Sequence, residues 1–220
     1  TWYHIVVTRT QLGLLSLYIN GVLVTASMPQ LAANAYFPLP STTLTIGESV
    51  LNSATLSNVF RPFNGYISDF RVYSSILSIA DVETLYYSIP YNSLAGASSL
   101  FVFEGNAIDA MGYYSLSNVG TQYATSRIGL GRTLYIANES NIAAGLNGSN
   151  LRATSYATTP YNLLSTTAGH TIATWLYFTK QNTSNASTSN MPVCIGTTSN
   201  EVAFFNLCTG TGPTNGFSYN

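Results

Sequence analysis

The residues Trp2 to Thr8, WYHIVVT, are β-branched and aromatic, which suits a pleated strand buried on at least one face. Leu14 to Ile19 and Val22 to Ala26 are two more such runs. They are joined by Asn20-Gly21, the pair that best tolerates the positive φ of a type I′ hairpin turn. Alternation places Leu15, Leu17 and Ile19 on one face and Ser16, Tyr18 and Asn20 on the other. The first face is expected in the core, leaving Tyr18 facing outward or into a groove. A Pro- and Ala-rich loop from about Met28 to Ser41 leads to a short strand at Thr43 to Ile46, closed by Gly47. Phe63 to Ser74, FNGYISDFRVYS, alternates as a long strand, with Gly65 signalling a bulge or close approach near its start.

One helix is predicted next. Ser78 is a good N-cap with Asp81 three residues on, and Val82, Leu85 and Tyr86 follow at helical spacing until Pro90 bars continuation. Further strands are expected at Ser99 to Phe103, Thr133 to Ala137, Ile172 to Thr179, Val193 to Ile195 and Val202 to Leu207, between Ser/Thr/Asn/Gly loops. Many strands and one short helix predict an all-β antiparallel sandwich. Strand spacing is wider than in a compact immunoglobulin domain and the Cys–Trp–Cys core of that fold is missing, so a jelly roll fits better. The 220 residues suffice for one large sandwich or two small domains.

Charge narrows the function classes. Charged residues make up 7% of the chain, aromatics 13%, and the net charge is -1. With no cationic stripe, nucleic acid is not an expected partner. No apolar run approaches the roughly 20 residues of a spanning helix, so no membrane insertion is expected. Solubility then rests on hydroxyls, amides, attached sugar or contact with neighbouring subunits, each of which points outside the cytosol. The chain opens on Thr1 without a signal-like segment, and reads as a fragment whose secretion signal lies elsewhere. Asn138, Asn147, Asn182 and Asn185 head N-x-[ST] sequons in polar stretches, candidate glycosylation sites in surface loops. Cys194 and Cys208 flank a hairpin-like stretch with its turn near Thr197 to Asn200. They are either a cross-strand disulfide or two buried thiols.

WYHIVVT, LYINGVLV, LTIG and FNGYISDFRVYSSILSIADVETLY, in this order over residues 2 to 86, closely resemble the second half of a laminin-G-like, concanavalin-type domain. SSLFVFEGNAIDAMG, GLGRTLYIAN and HTIATWLYFTK resemble the first half of the same kind of domain. The halves, residues 1–89 and 90–220, therefore stand in reversed order. Two explanations fit: one permuted domain, or the junction of two tandem repeats in which neighbouring copies complete each half.

The resemblance implies candidate sites. Enzymes of this fold place two glutamates close together on one strand for glycoside hydrolysis, and no such strand occurs here. Asp81 and Glu83, the only close acidic pair, lie at the start of the predicted helix, where they serve its N-terminal charge. His4 and His170 read as packing residues within or beside strands. The family commonly binds calcium, which makes Asp69, Glu104, Asn106 and Asp109 the candidate ligands. Asp69 fits equally well as the buried partner of Arg71 or Arg132. For carbohydrate, which stacks on aromatic rings, the candidates are Trp2, Tyr18, Tyr36 and Tyr73. The expected function is a non-catalytic adhesion or structural module of a larger repetitive glycoprotein, at an extracellular, cell or virion surface. Its partners would be neighbouring copies, glycans or other surface proteins. The alternatives are a lectin-like carbohydrate-binding domain and, further off, a domain associated with glycoside hydrolases.

Overall fold

Strands β1 (Trp2–Arg9), β2 (Leu15–Ile19) and β3 (Val22–Ser27) form an antiparallel meander. The β2–β3 turn has φ of 52° at Asn20 and 82° at Gly21, the two positive values that a type I′ turn requires. The turn is also tied back to β1. The His4 amide donates to Asn20 Oδ1 at 2.9 Å, and the Asn20 amide donates to the His4 carbonyl at 2.8 Å. This computed structural model describes residues 1–10, 14–27, 43–47, 63–88, 96–125, 127, 132–136, 156–159, 169–179, 189–196, 201–208 and 216–218. The four sequons and Tyr36 lie outside the described residues.

β4 (Thr43–Ile46) and β5 (Gly65–Tyr73) precede helix α1 (Ile79–Tyr87). After it come β6 (Ala97–Phe101), β7 (Ser117–Val119), β8 (Gln122–Thr125), β9 (Arg132–Ile136) and β10 (Tyr156–Thr159). The last four strands are β11 (His170–Phe178), β12 (Ser189–Gly196), β13 (Glu201–Cys208) and β14 (Gly216–Ser218). They build an eight-stranded sheet in the order β3-β2-β1-β11-β5-β9-β8, with β6 also on β5. A six-stranded sheet follows the order β14-β13-β12-β4-β10-β7. Every pairing is antiparallel. The expected sandwich is what forms. The short strands β7, β8, β10 and β14, three or four residues each, were not foreseen because so few positions cannot show a period.

The main core joins Ile5, Leu15, Ile67, Leu134 and Leu176 of the larger sheet with Ile46 of the smaller one. On the opposite face of the larger sheet, Val6, Tyr18, Tyr73 and Ala173 meet Leu77, Val82 and Leu85 from α1 and its approach. Tyr18 points away from the main core, as alternation placed it, but it is buried under the helix instead of facing outward or into an open groove. The helix start is a full capping box. Ser78 Oγ accepts from the Asp81 amide at 3.2 Å, while Asp81 Oδ2 accepts from the Ser78 amide at 2.9 Å. The Ser78 hydroxyl, which donates to Asp81 Oδ2 at 2.7 Å, and then the Ser78 amide hold the Asp81 carboxyl below its usual value.

Two local expectations come out differently. The β12–β13 hairpin closes at Gly196 and Glu201, and its register slips on either side of Val193, which meets Phe205. Cys194 is two residues from that closure and Cys208 is seven, so Cys194 faces Ala203 and Cys208 faces Ser189. In backbone register the two cysteines therefore do not stand directly opposite each other. At Gly65, by contrast, the close approach is real. A Cβ there would run into the Tyr177 carbonyl oxygen and sit 2.8 Å from Phe63 Cζ. Gly65→Ala should therefore cost about 3 kcal/mol through forced separation of β5 from β11. The measurement is the urea midpoint at unchanged slope; a loss below about 1 kcal/mol would contradict the clash.

Candidate functional site

Side chains two apart on a strand share a face, so Trp2, His4 and Val6 point the same way from β1, away from the main core. Register then carries this face across the sheet. Trp2 stands opposite Tyr177 of β11, Tyr177 opposite Tyr66 of β5, Tyr66 opposite Tyr135 of β9, and Tyr135 opposite Gln122 of β8. Four aromatic rings thus lie side by side across four strands. Trp2 and Tyr177 meet edge to face with centroids 5.6 Å apart, as do Tyr177 and Tyr66. Tyr66 and Tyr135 stack at 4.7 Å and 26°. All four rings are half-buried, with part of each surface open. A pocket of about 400 Å³ opens at this row, lined by Trp2, Tyr66, Tyr177, Ala124, Thr125 and Thr179. None of these six is charged.

The next row toward the helix is closed and polar. His4 faces Trp175, which faces Ser68. Trp175 is stacked by Tyr86 of α1 at 5.7 Å and 21°, and Arg127 lies 3.7 Å over its ring. A bulge in β5 sits beside them, where the ladder to β11 slips between Ala173 and Trp175. Asp69 takes a φ of 56° there, a conformation that Asp tolerates better than most residues. Arg71 Nε and Nη2 donate to the two Asp69 oxygens, each at 2.8 Å, in a bidentate pair. Burial pulls the Arg71 guanidinium down, but the hydrogen bonds and charge of Asp69 outweigh it and hold Arg71 above its ordinary value. Burial, with the positive charges of Arg127 and Arg71, lowers His4 to about 3, so its imidazole is neutral.

The expected carbohydrate residues divide. Trp2 belongs to the open row, whereas Tyr73 is 1% exposed and lies under α1 with Tyr18. Tyr66, Tyr135 and Tyr177 were missed, and their one signal was an alternating position in strands already identified.

The four expected calcium ligands do not assemble. Asp69 is taken by Arg71, the second of the two readings that its position allowed. Both Glu104 oxygens accept from the Arg132 amide at 3.0 Å, and Asn106 Oδ1 accepts from the Ile108 amide at 3.0 Å. Asp109 Oδ1 accepts from the amides of Leu100 and Met111 at 2.8 and 2.9 Å. Among the described residues no three His, Cys, Asp or Glu side chains stand together as a metal cage. Glu104, Asn106 and Asp109 thus serve to close their own loops.

Residues 1–83 match the family model described as the concanavalin A-like lectin/glucanases superfamily. The resemblance drawn from the motifs of residues 2 to 86 holds over that stretch, and the antiparallel sandwich agrees with it. No curated protein and no solved structure matches the chain.

Proposed function

We propose that this concanavalin A-like sandwich is a non-catalytic, lectin-like module that takes a carbohydrate on the row formed by Trp2, Tyr177, Tyr66 and Tyr135. The observation that carries this reading is the row itself, four half-open rings in one register beside an uncharged pocket. A sugar ring offers C–H faces to aromatic rings and hydroxyls to polar neighbours. Thr125 and Thr179 supply such neighbours in the pocket wall. The six described lining residues carry no charge, which favours a neutral sugar over an acidic one. The non-catalytic part rests on the acids. Hydrolysis by a carboxylate pair needs two carboxyl groups flanking one bond, and none of the six described residues lining the pocket carries one. Scarce charge and the four sequons support an extracellular setting.

Glycan-array screening followed by titration calorimetry tests the reading. Trp2→Ala and Tyr66→Ala are expected to weaken binding more than about tenfold, a loss of about 1.4 kcal/mol or more. Tyr87→Ala, at an 80% exposed position on α1, is expected to bind as the parent does. Parent-like binding by both row variants, or no binding of any neutral glycan by the parent, would defeat it. A structural role, in which copies build an extracellular surface, has its own observation. Val22, Leu23 and Val24 are 66%, 43% and 56% exposed along β3, which ends the larger sheet.

A further inference from the structure

Three rings of the row stand at steep angles to one another. Trp2 and Tyr177 are inclined by 61°, Tyr177 and Tyr66 by 77°, and Trp2 and Tyr66 by 50°. Their centroids close a triangle with sides of 5.6, 5.6 and 6.2 Å. Tyr135 stands outside this triangle, packed near-parallel on one face of Tyr66.

A sugar stacks by laying its C–H face on the face of an aromatic ring. A glycan chain lying across the row would need successive ring faces turned the same way, so that each unit stacked in turn. The observed tilts deny it that platform. A sugar laid flat on one ring of the triangle meets the other two as inclined side walls, so the triangle is shaped for one unit.

The surroundings of the triangle bound it further. Thr125, from the end of β8, and Thr179, just past β11, are exposed and form the lip. Ala124 is half-buried in the wall. It lies two residues from Gln122, the partner of Tyr135, and so on the same face of the sheet as the rings. Its side chain is a single methyl, which leaves depth between β8 and the triangle. The volume of about 400 Å³ falls near the lower end of the range for small-ligand pockets, about 300–1,000 Å³.

On the reading that this pocket takes a carbohydrate, we infer that it recognises the end of a neutral glycan, holding one terminal unit among Trp2, Tyr177 and Tyr66. A glycan joined to a carrier is linked through its reducing end, so the unit offered is the non-reducing one. Ala124 determines this specificity, because a larger side chain there fills the space that the terminal unit enters.

Titration calorimetry of the full chain with neutral oligosaccharides of glucose, mannose or galactose, from two to six units long, tests the inference. A second set carries a cyclic acetal across the two outermost hydroxyls of the non-reducing unit. For whichever sugar binds, affinity should change less than about threefold from the shortest chain to the longest, and the acetal should weaken it more than about tenfold. Ala124→Tyr, on the short strand β8 at the end of the larger sheet, should also weaken binding more than about tenfold while keeping the parent's cooperative unfolding transition. Affinity that climbs with each added unit, equal binding of blocked and free chains, or parent-like binding by folded Ala124→Tyr overturns end recognition and leaves the carbohydrate reading standing. A parent that binds none of the neutral chains defeats both.

Discussion

Asp69→Asn is expected to destabilise the sandwich by about 3–5 kcal/mol, the usual consequence of removing one member of a buried ion pair. Asp69 and Arg71 are 6% and 1% exposed, and the guanidinium donates two hydrogen bonds to the carboxylate. Asparagine keeps the tolerance for the left-handed backbone at the bulge, so the loss measures the charge and not the φ of 56°. The remaining positive charge would lose its counter-charge. Asp69→Asn combined with Arg71→Met should recover most of the loss, since an apolar replacement of the whole pair is often neutral. Denaturant unfolding of the two single variants and the double variant completes the cycle. A double variant no more stable than Asp69→Asn would show that the pair does more than satisfy itself.

Acid should weaken the fold through His4. Its imidazole titrates near 6.5 in the unfolded chain and near 3 when folded, because burial and the Arg127 and Arg71 charges disfavour the protonated form. Below pH 6.5 the unfolded state takes up a proton that the folded state refuses, so stability is complete above that pH and declines toward pH 3. The decline is about 1.4 kcal/mol per pH unit, or about 5 kcal/mol across the window. The groups facing His4 are Trp175 across the ladder, Tyr86 from α1, and the two arginines, with Asp69 held by Arg71. His4→Phe keeps a ring in this stack and removes the proton site. Unfolding free energies of parent and variant from pH 7 to pH 4 should diverge in slope, the variant being flatter. Parallel curves would place the acid sensitivity elsewhere.

The strands that carry the site were legible because alternation, the Asn20-Gly21 turn and the Ser78 cap are all local signals. The row itself was not. Trp2 and Tyr177 become neighbours through a register between strands at opposite ends of the chain, and nothing near either residue encodes that offset. Tyr18 and Tyr73 were misread for a related reason. Alternation told which face Tyr18 occupies, but not that α1 would land on that end of it, over Tyr73 as well, while leaving the Trp2 end open. The acids around Glu104 and Asp109 suggested an ion because their oxygens were counted, whereas three of those groups accept amide hydrogens from nearby backbone. At Cys194 and Cys208 the hairpin and its turn near Thr197 to Asn200 were both readable, and the unequal distances of the two cysteines from that turn set them out of register.

The margin of the larger sheet bears on how the material behaves in the tube. β3 reads VLVTAS, without the lysine, glutamate or proline by which natural sheets discourage lateral growth. A chain with a net charge of -1 adds almost no colloidal repulsion to compensate. Concentrated stocks thus have a ready template for fibrous precipitation at Val22 to Val24, and a lysine introduced at Val22 is the simplest way to blunt it.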